Sequence, residues 1–262
     1  MSESNPKVAG SVELPPHVEH DSDVGRLLLP SHCRFVTPYV AACGNWEPEE
    51  VALYRTLVQP GMTALDVGAH VGYFTLLLAR LVGSQGRVVA VEADPANHAL
   101  LCENVIRNGA TNVRVVHAAA AAVSGTATLS VCEDNTGDHR AYSWNSGRRT
   151  LTVPALALDE LDPPFESLDI VKLDVQGTEH RVLAGLAETL RRCRPTVVAE
   201  FWPEGIRDLG DDPVAVIECY RSWGLRTRVL GGPADSGMPA VDVVQLAETG
   251  PTRFCTLLLE PS

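Results

Sequence analysis

Apolar residues along the chain fall into short continuous runs that alternate with stripes at three- and four-residue spacing. Between positions 63 and 92 the order is TALDVGAHVGYFTLLLARLVGSQGRVVAVE. It holds an apolar run over 64–67, a glycine turn over 68–72, a helical stretch over 73–81 and a second apolar run over 87–91 that delivers Glu92. Short apolar runs bounded by turn residues predict buried strands, and strand–helix–strand is the opening unit of a doubly wound parallel sheet. Ligands of such sheets bind beyond the carboxyl ends of the strands. Asp66, the turn and Glu92 therefore mark the expected site.

The pattern continues on both sides. Asp94-Pro95 offers a capping side chain and a first-turn proline for a helix that runs to Arg107, and Asn108-Gly109 closes it. Strands are predicted over 113–116, 126–131, 150–153, 168–175 and 196–201. A helix is predicted from Thr178 through Arg192, with Val182, Leu186 and Leu190 as its stripe and arginines at its carboxyl end. A helix over 213–223 and strands over 225–230 and 253–259 complete the sheet, and 231–250 is expected as a loop holding a short strand over 241–246. Upstream, 49–58 predicts a helix, and the apolar patch over 24–40 suggests short strands or an edge hairpin. Residues 1–26, rich in proline and acids, are expected as a flexible tail. The remainder, 27–262, is expected as a single domain with its core over 46–230. The polar stretch over 133–149 between two strands is too long for an idle connection and is expected to face the substrate.

Composition narrows the function. The 45% apolar content supports a sizeable core, and a formal charge of −12 argues against a nucleic-acid partner. Seven scattered cysteines suggest neither a disulfide framework nor a zinc site. Nor do His17, His20, Asp21 and Asp23, a solvated polar run, suggest metal ligands. No apolar stretch reaches the length of a membrane span, so a cytoplasmic protein with no membrane partner is expected. Oligomeric state is not legible.

The glycine turn discriminates between ligands. A dinucleotide site needs G-x-G-x-x-G so that the backbone can approach a pyrophosphate. Gly68, Ala69, His70, Val71 and Gly72 place histidine where the second glycine is needed, which disfavours a nicotinamide-dependent reductase. S-adenosylmethionine has no phosphate. Asp66 supplies negative charge for its cationic methionyl portion, the turn amides at Gly68, Ala69 and His70 suit its carboxylate, and Glu92 suits its ribose diol. The small residues Ala93 and Ala119, the latter within a run of alanines over 118–122, let a flat ring lie against the backbone. A plain tight turn with a solvated Asp66 is the other reading of the same residues.

Several ordered segments carry a resemblance: DVGAHVGYFT (66–75), VVAVEADPANHALLCENVIRN (88–108), NVRVVHAAAA (112–121), LALDEL (156–161), DIVKLDVQGTEHRVLAG (169–185) and RPTVVAEF (194–201). Together they resemble the FkbM family of S-adenosylmethionine-dependent methyltransferases. The family often has Asn where His70 stands and commonly Glu where Gln176 stands. The resemblance implies a Rossmann-like class I methyltransferase fold, α/β, with a mostly parallel central sheet, helices on both faces and an antiparallel C-terminal strand. It also implies S-adenosyl-L-methionine as cofactor and methylation of a hydroxyl on a small molecule, a natural product or a sugar. An alcohol must lose its proton, and two sources of a base stand out. One is His139 in the insertion. The other is Asp174 with Glu200 at the ends of adjacent strands, placed to orient the substrate or to hold a divalent cation. A cap on the following helix or a pair with Lys172 is the structural alternative for Asp174, and Gln176 removes a carboxylate that a multidentate metal site would use, so no metal ligands are assigned. Tyr142, Trp144, Arg140, Arg148 and Arg149 are further substrate-gripping candidates, and Trp202 a wall of the pocket. A module that binds the cofactor without turnover, as a scaffold or sensor, is a rival reading.

Overall fold

The computed structural model describes residues 14–142, 147–232 and 237–262. Two strands, β1 (His17–Ser22) and β2 (Gly25–Pro30), pair as an antiparallel hairpin. Helices α1 (Val36–Cys43) and α2 (Pro48–Leu57) follow. The predicted opening unit is β3 (Thr63–Val67), α3 (Tyr73–Val82) and β4 (Arg87–Glu92), and the next pair is α4 (Pro95–Arg107) and β5 (Val113–His117). Three strands, β6 (Ala119–Ala120), β7 (Gly125–Ser130) and β8 (Thr150–Leu156), form a small separate sheet. The chain returns to the main sheet with β9 (Ile170–Leu173), α5 (Glu179–Ala184), α6 (Ala187–Cys193) and β10 (Thr196–Phe201). It ends with α7 (Pro203–Asp208), α8 (Pro213–Ser222), β11 (Leu225–Val229), α9 (Ala240–Thr249) and β12 (Cys255–Pro261).

The main sheet has the order β11-β12-β10-β9-β3-β4-β5. Strands β10, β9, β3, β4 and β5 are parallel, and β12 runs antiparallel between β10 and β11. The order reverses at β3, whose neighbours are β9 and β4, so the crevice at a topological switch point opens above the glycine turn. Apolar side chains leave both faces of the strands. Leu65, Val67, Val171 and Leu173 pack against α5 and α8, while Ala64, Ile170, Val198 and Leu258 pack against α2, α3 and the hairpin. Burial on both faces is why these strands read as continuous apolar runs. Among the described residues no helix is long and apolar enough to cross a membrane.

Four elements differ from the sequence reading. The end of the apolar patch over 24–40, expected as strand or edge hairpin, is the helix α1, which buries Val36, Thr37 and Val40 at helical spacing. The stretch expected as a tail contributes residues 17–26 to the hairpin, because Leu27, Leu28 and Leu29 are fully buried and their strand needs a partner. Asn104 fixes the hairpin to α4: its side chain accepts from Leu28 N (2.7 Å) and donates to Leu28 O (3.0 Å) and Val71 O (2.8 Å). The single helix expected through Arg192 breaks at Gly185, where a Cβ would lie 2.0 Å from the Ala121 carbonyl oxygen. The Asp159 carboxylate then caps α6 by accepting from Glu188 N and Thr189 N. Finally, the strand expected over 241–246 is the helix α9, whose buried Ala240, Val243, Val244 and Ala247 follow helical spacing.

Candidate active site

The strand register sets the level of each side chain. Asp66 pairs with Ala90 and Lys172, and Val67 with Val91 and Leu173. Gly68, Glu92 and Asp174 are therefore one residue above the last paired row, and Glu200 stands level with Asp174 because Ala199 pairs with Leu173. These four positions form the rim of the sheet. Asp66 sits two residues below it, roughly 7 Å deeper at the rise of a strand.

Above the rim is a cavity lined by Gly68, His70, Glu92, Ala93, Asn97, Ala118, Ala119, Ala120, Asp174 and Gln176, and roofed by Leu129, Thr136, Gly137, His139 and Ala141. A hollow of about 890 Å³ lies at the opposite, amino end of the strands, lined by the 83–87 and 109–114 loops. It is remote from every residue of the rim. The upper cavity holds about 60 Å³, against roughly 300–1,000 Å³ for a small-molecule pocket. Thr136, Gly137, His139 and Ala141 of the insertion stand over it.

Glu92 is buried, and both its oxygens are engaged: Oε2 accepts from His70 N and Oε1 from Asp94 N, each at 2.8 Å. Burial nonetheless pushes its pKa up to about 8. The turn itself rests on a close approach. Gly68 has φ 78°, and a Cβ there would lie 1.9 Å from the Asp174 carbonyl oxygen, so only glycine lets β3 and β9 meet at the crevice. His70 follows with φ 52°, in the left-handed region that His and Asn tolerate better than most residues. Its Nε2 and the Thr136 hydroxyl lie 2.8 Å apart, tying turn to insertion, and burial drives its pKa down to about 3, so the ring is neutral. Asn97 holds the insertion from the other side by donating to Thr136 O at 3.0 Å. Ala118, Ala119 and Ala120 form the wall of the cavity between Glu92 and Leu129.

Not all predicted cofactor contacts reach this cavity. Asp66 is fully buried beneath the turn, where Oδ2 accepts from Thr75 Oγ1 at 2.6 Å and Oδ1 has no partner among the described residues. Burial raises its pKa and the nearby Lys172 ammonium opposes the rise. Ala69 packs among Ala90, Leu101 and Val105. Gly72 is the amino cap of α3, where a Cβ would strike Leu101. These three shape the turn from below, while Gly68, His70, Glu92, Ala93 and Ala119 line the cavity.

The candidate bases separate. His139 is buried against Asp94, with Nε2 3.8 Å from Asp94 Oδ2, and its Nδ1 accepts from Cys132 N at 3.1 Å. Burial lowers its pKa. The neutral ring therefore carries its hydrogen on Nε2, and neither nitrogen is open to a substrate proton. His139 packs beside Asp94, just past the end of β4, whereas Asp174 stands at the end of β9 with β3 between those strands. Asp174 is partly exposed to the cavity; it accepts from Lys172 Nζ at 3.2 Å and from Gln176 Nε2 at 2.9 Å. Glu200 does not line the cavity. Its Oε2 accepts from the same Gln176 nitrogen at 3.0 Å, and burial, then Asp174, Glu179 and Glu47, push its pKa well above the usual carboxylate range. Lys172 is buried beneath the pair, 4.7 Å from the Phe74 ring centroid. Among the described residues no three His, Cys, Asp or Glu side chains are grouped so as to hold a metal ion.

The insertion closes the site laterally. Arg140 is buried, bonded to Asp138 Oδ1 at 3.0 Å and stacked 4.3 Å over the Trp202 ring, and Arg148 donates to Asp138 Oδ2 at 2.6 Å. Trp202 thus braces the insertion, and Tyr142 is buried. Arg149 is exposed near Glu133, and Trp144 lies outside the described residues. Sequence reasoning missed Glu47 and Glu50, whose charges reach Lys172 from the start of α2. In the chain they read only as acids in a helix's first turn. Asn97 and Thr136 gave no signal, because their link spans 39 residues.

A mostly parallel sheet of this order with one reversed strand, carrying an acid at the end of β4 and a glycine turn without pyrophosphate clearance, is the fold of an S-adenosylmethionine-dependent methyltransferase. Residues 66–223 match the methyltransferase FkbM domain, and the chain belongs to that family. Over 114 residues, 42% of this chain and 46% of the relative, it is 32% identical to a protein-L-isoaspartate O-methyltransferase of Triticum aestivum. It is 26% identical to the methyltransferase sdnD of Sordaria araneosa over 176 residues, 55% of this chain and 68% of that one. The isoaspartate relatives are thus matched over less than half their length. Among solved structures, M. jannaschii TYW2 in complex with AdoMet superposes with a TM-score of 0.50 at 15% identity, covering 97% of this chain and 90% of that one. The likeness is one of fold. The cofactor is S-adenosyl-L-methionine.

Proposed function

We propose that this methyltransferase acts on a hydroxyl of a small molecule, with Asp174 as the general base. The observation that carries the reading is the placement of Asp174: it is level with Gly68 and Glu92 on the rim, open to the cavity, and its charge is balanced by a buried ammonium. Bound S-adenosylmethionine supplies an electrophilic methyl group on its sulfonium. Glu92 accepts the ribose hydroxyls, the Gly68 and His70 region receives the methionyl end, and the alanine wall takes the adenine. Asp174 receives the acceptor's proton as the oxygen–methyl bond forms and the sulfur–methyl bond breaks. A positioned base of this kind contributes about 10²–10⁴-fold, and alignment of oxygen, methyl and sulfur supplies much of the rest.

The match to protein-L-isoaspartate O-methyltransferases gives a second reading, a carboxylate acceptor on a peptide. Carboxylates need no base, and the rim presents acids, which repel one. The two are separated by incubating the full chain with methyl-labelled S-adenosylmethionine and either a panel of sugars and polyhydroxylated natural products or an isoaspartyl peptide. Label in a base-stable ether supports the first reading. Label in a base-labile peptide ester would overturn it.

A further inference from the structure

At the ends of β9 and β10 one amide nitrogen serves two acids. Gln176 Nε2 donates one hydrogen to Asp174 Oδ1 at 2.9 Å and the other to Glu200 Oε2 at 3.0 Å, which uses both hydrogens that a primary amide has. The backbone is specialised to put it there. Gln176 has φ 57°, a left-handed conformation that costs a residue other than glycine about 1 kcal/mol or more. The turn is pinned by Glu179, whose Oε1 accepts from Val175 N at 3.0 Å and Gly177 N at 3.1 Å. A Cβ at Gly177 would lie 2.9 Å from the Gly205 backbone, so the turn is also wedged against α7.

The two acids have different surroundings. Asp174 faces the cavity and the Lys172 ammonium. Glu200 lies behind it, with Glu179 from α5 and Glu47 from the start of α2 nearby, and Asp66 from β3 and Glu50 from α2 add to the field around Lys172. Burial and these carboxylates disfavour the charged form of Glu200, and a donor or a cation standing between it and Asp174 favours ionisation of both. A divalent cation bridging two carboxylates would occupy the same place as the amide nitrogen.

We propose that Gln176 is a positioning residue for methyl transfer: its amide ties Asp174 to Glu200, aims Asp174 at the acceptor, and occupies the place between the two acids where a divalent cation would otherwise bridge them. The proposal rests on the reading of Asp174 as the base. Its consequence is specific. Gln176→Glu, nearly the same shape, replaces the donor by a third carboxylate and creates a cation site; Gln176→Ala vacates the same place and creates a weaker one.

The test loads the full chain with S-adenosylhomocysteine, titrates Mn²⁺, and follows paramagnetic broadening of the Val175 and Gly177 amide resonances, with calorimetry for affinity. Thermal unfolding checks that each variant is folded. Local broadening is expected at least tenfold lower in Mn²⁺ concentration for Gln176→Glu than for the unaltered chain, with Gln176→Ala between them, and Asp174→Asn added to Gln176→Glu should abolish it. Equal broadening in the unaltered chain, or none in either folded variant, overturns the proposal. Failure of the underlying reading shows differently: S-adenosylhomocysteine does not bind, or Asp174→Asn alone leaves methyl transfer at its full rate.

Discussion

Glu92 offers a prediction whose size follows from the site. Its carboxyl is buried and ionises only near pH 8 when the cavity is empty. Two ribose hydroxyls presented to it donate hydrogen bonds that favour the carboxylate over the acid. The complex therefore holds fewer protons than the free protein, and affinity must rise with pH until the free group has ionised, then level off. With a free value of about 8 and a bound group that stays ionised throughout, S-adenosylhomocysteine should bind about 50-fold more tightly at pH 8 than at pH 6, equivalent to about 2.3 kcal/mol. Glu92→Gln cannot titrate and keeps one carbonyl acceptor, so its affinity should be flat over the same range. Glu92→Ala also strands the amides of His70 and Asp94, each bonded at 2.8 Å. Losing the two charge-assisted bonds to the ribose, worth about 1.5–3 kcal/mol each, predicts weakening of roughly 100-fold or more at pH 8. Isothermal titration calorimetry between pH 6 and pH 9 measures all three. A pH-independent affinity for the unaltered chain, or a slope that Glu92→Gln retains, would refute the assignment of Glu92 to the ribose.

Other predictions concern the base, the cover and the frame. Asp174→Asn should lower turnover with the hydroxyl acceptor by about 10²–10⁴-fold in a labelled-methyl assay, and an unchanged rate would remove Asp174 from the chemistry. Thr136→Val cuts the tie between His70 and the insertion; loss of a bond worth about 1 kcal/mol should speed amide hydrogen exchange across 133–142 by about fivefold, and no change there would show that other contacts set the cover. Asn104→Ala leaves the buried Leu28 and Val71 backbone groups without their partner. Urea unfolding should report a loss of about 2–4 kcal/mol, and a loss under 1 kcal/mol would mean that the hairpin is held by packing alone.

Much of this arrangement is legible in the chain because the cause is local. The parallel strands show as apolar runs since both faces of the sheet are covered, and Asp94-Pro95 marks the start of α4 because its cap accepts from Ala96 and Asn97 within the same turn. What the chain hides has distant causes. The break at Gly185 is set by the Ala121 carbonyl and the Asp159 carboxylate, and α9 is masked by glycines and prolines at its borders, although Ala240, Val243, Val244 and Ala247 keep the helical period. The tail-like residues 17–26 become a strand pair only because three leucines beyond them must be covered.

The site divides along the same line, and Asp66 and Glu92 show why. Both look alike in sequence, an acid closing an apolar run. Register separates them: Asp66 is level with Ala90 and Lys172, while Glu92 stands with Gly68 and Asp174 at the rim, two residues higher. One acid therefore faces the Thr75 hydroxyl beneath the turn and the other faces the cavity. Pairing partners lie 24 and 106 residues away from Asp66, so no local pattern records the offset. The same reasoning demotes His139: its place in the chain suggests a base, but the amide of Cys132 has already taken the nitrogen that would accept a proton. In the proposed reaction Asp174 takes that role, because β9 ends level with the turn, where a carboxylate can meet both the buried ammonium and whatever enters above it.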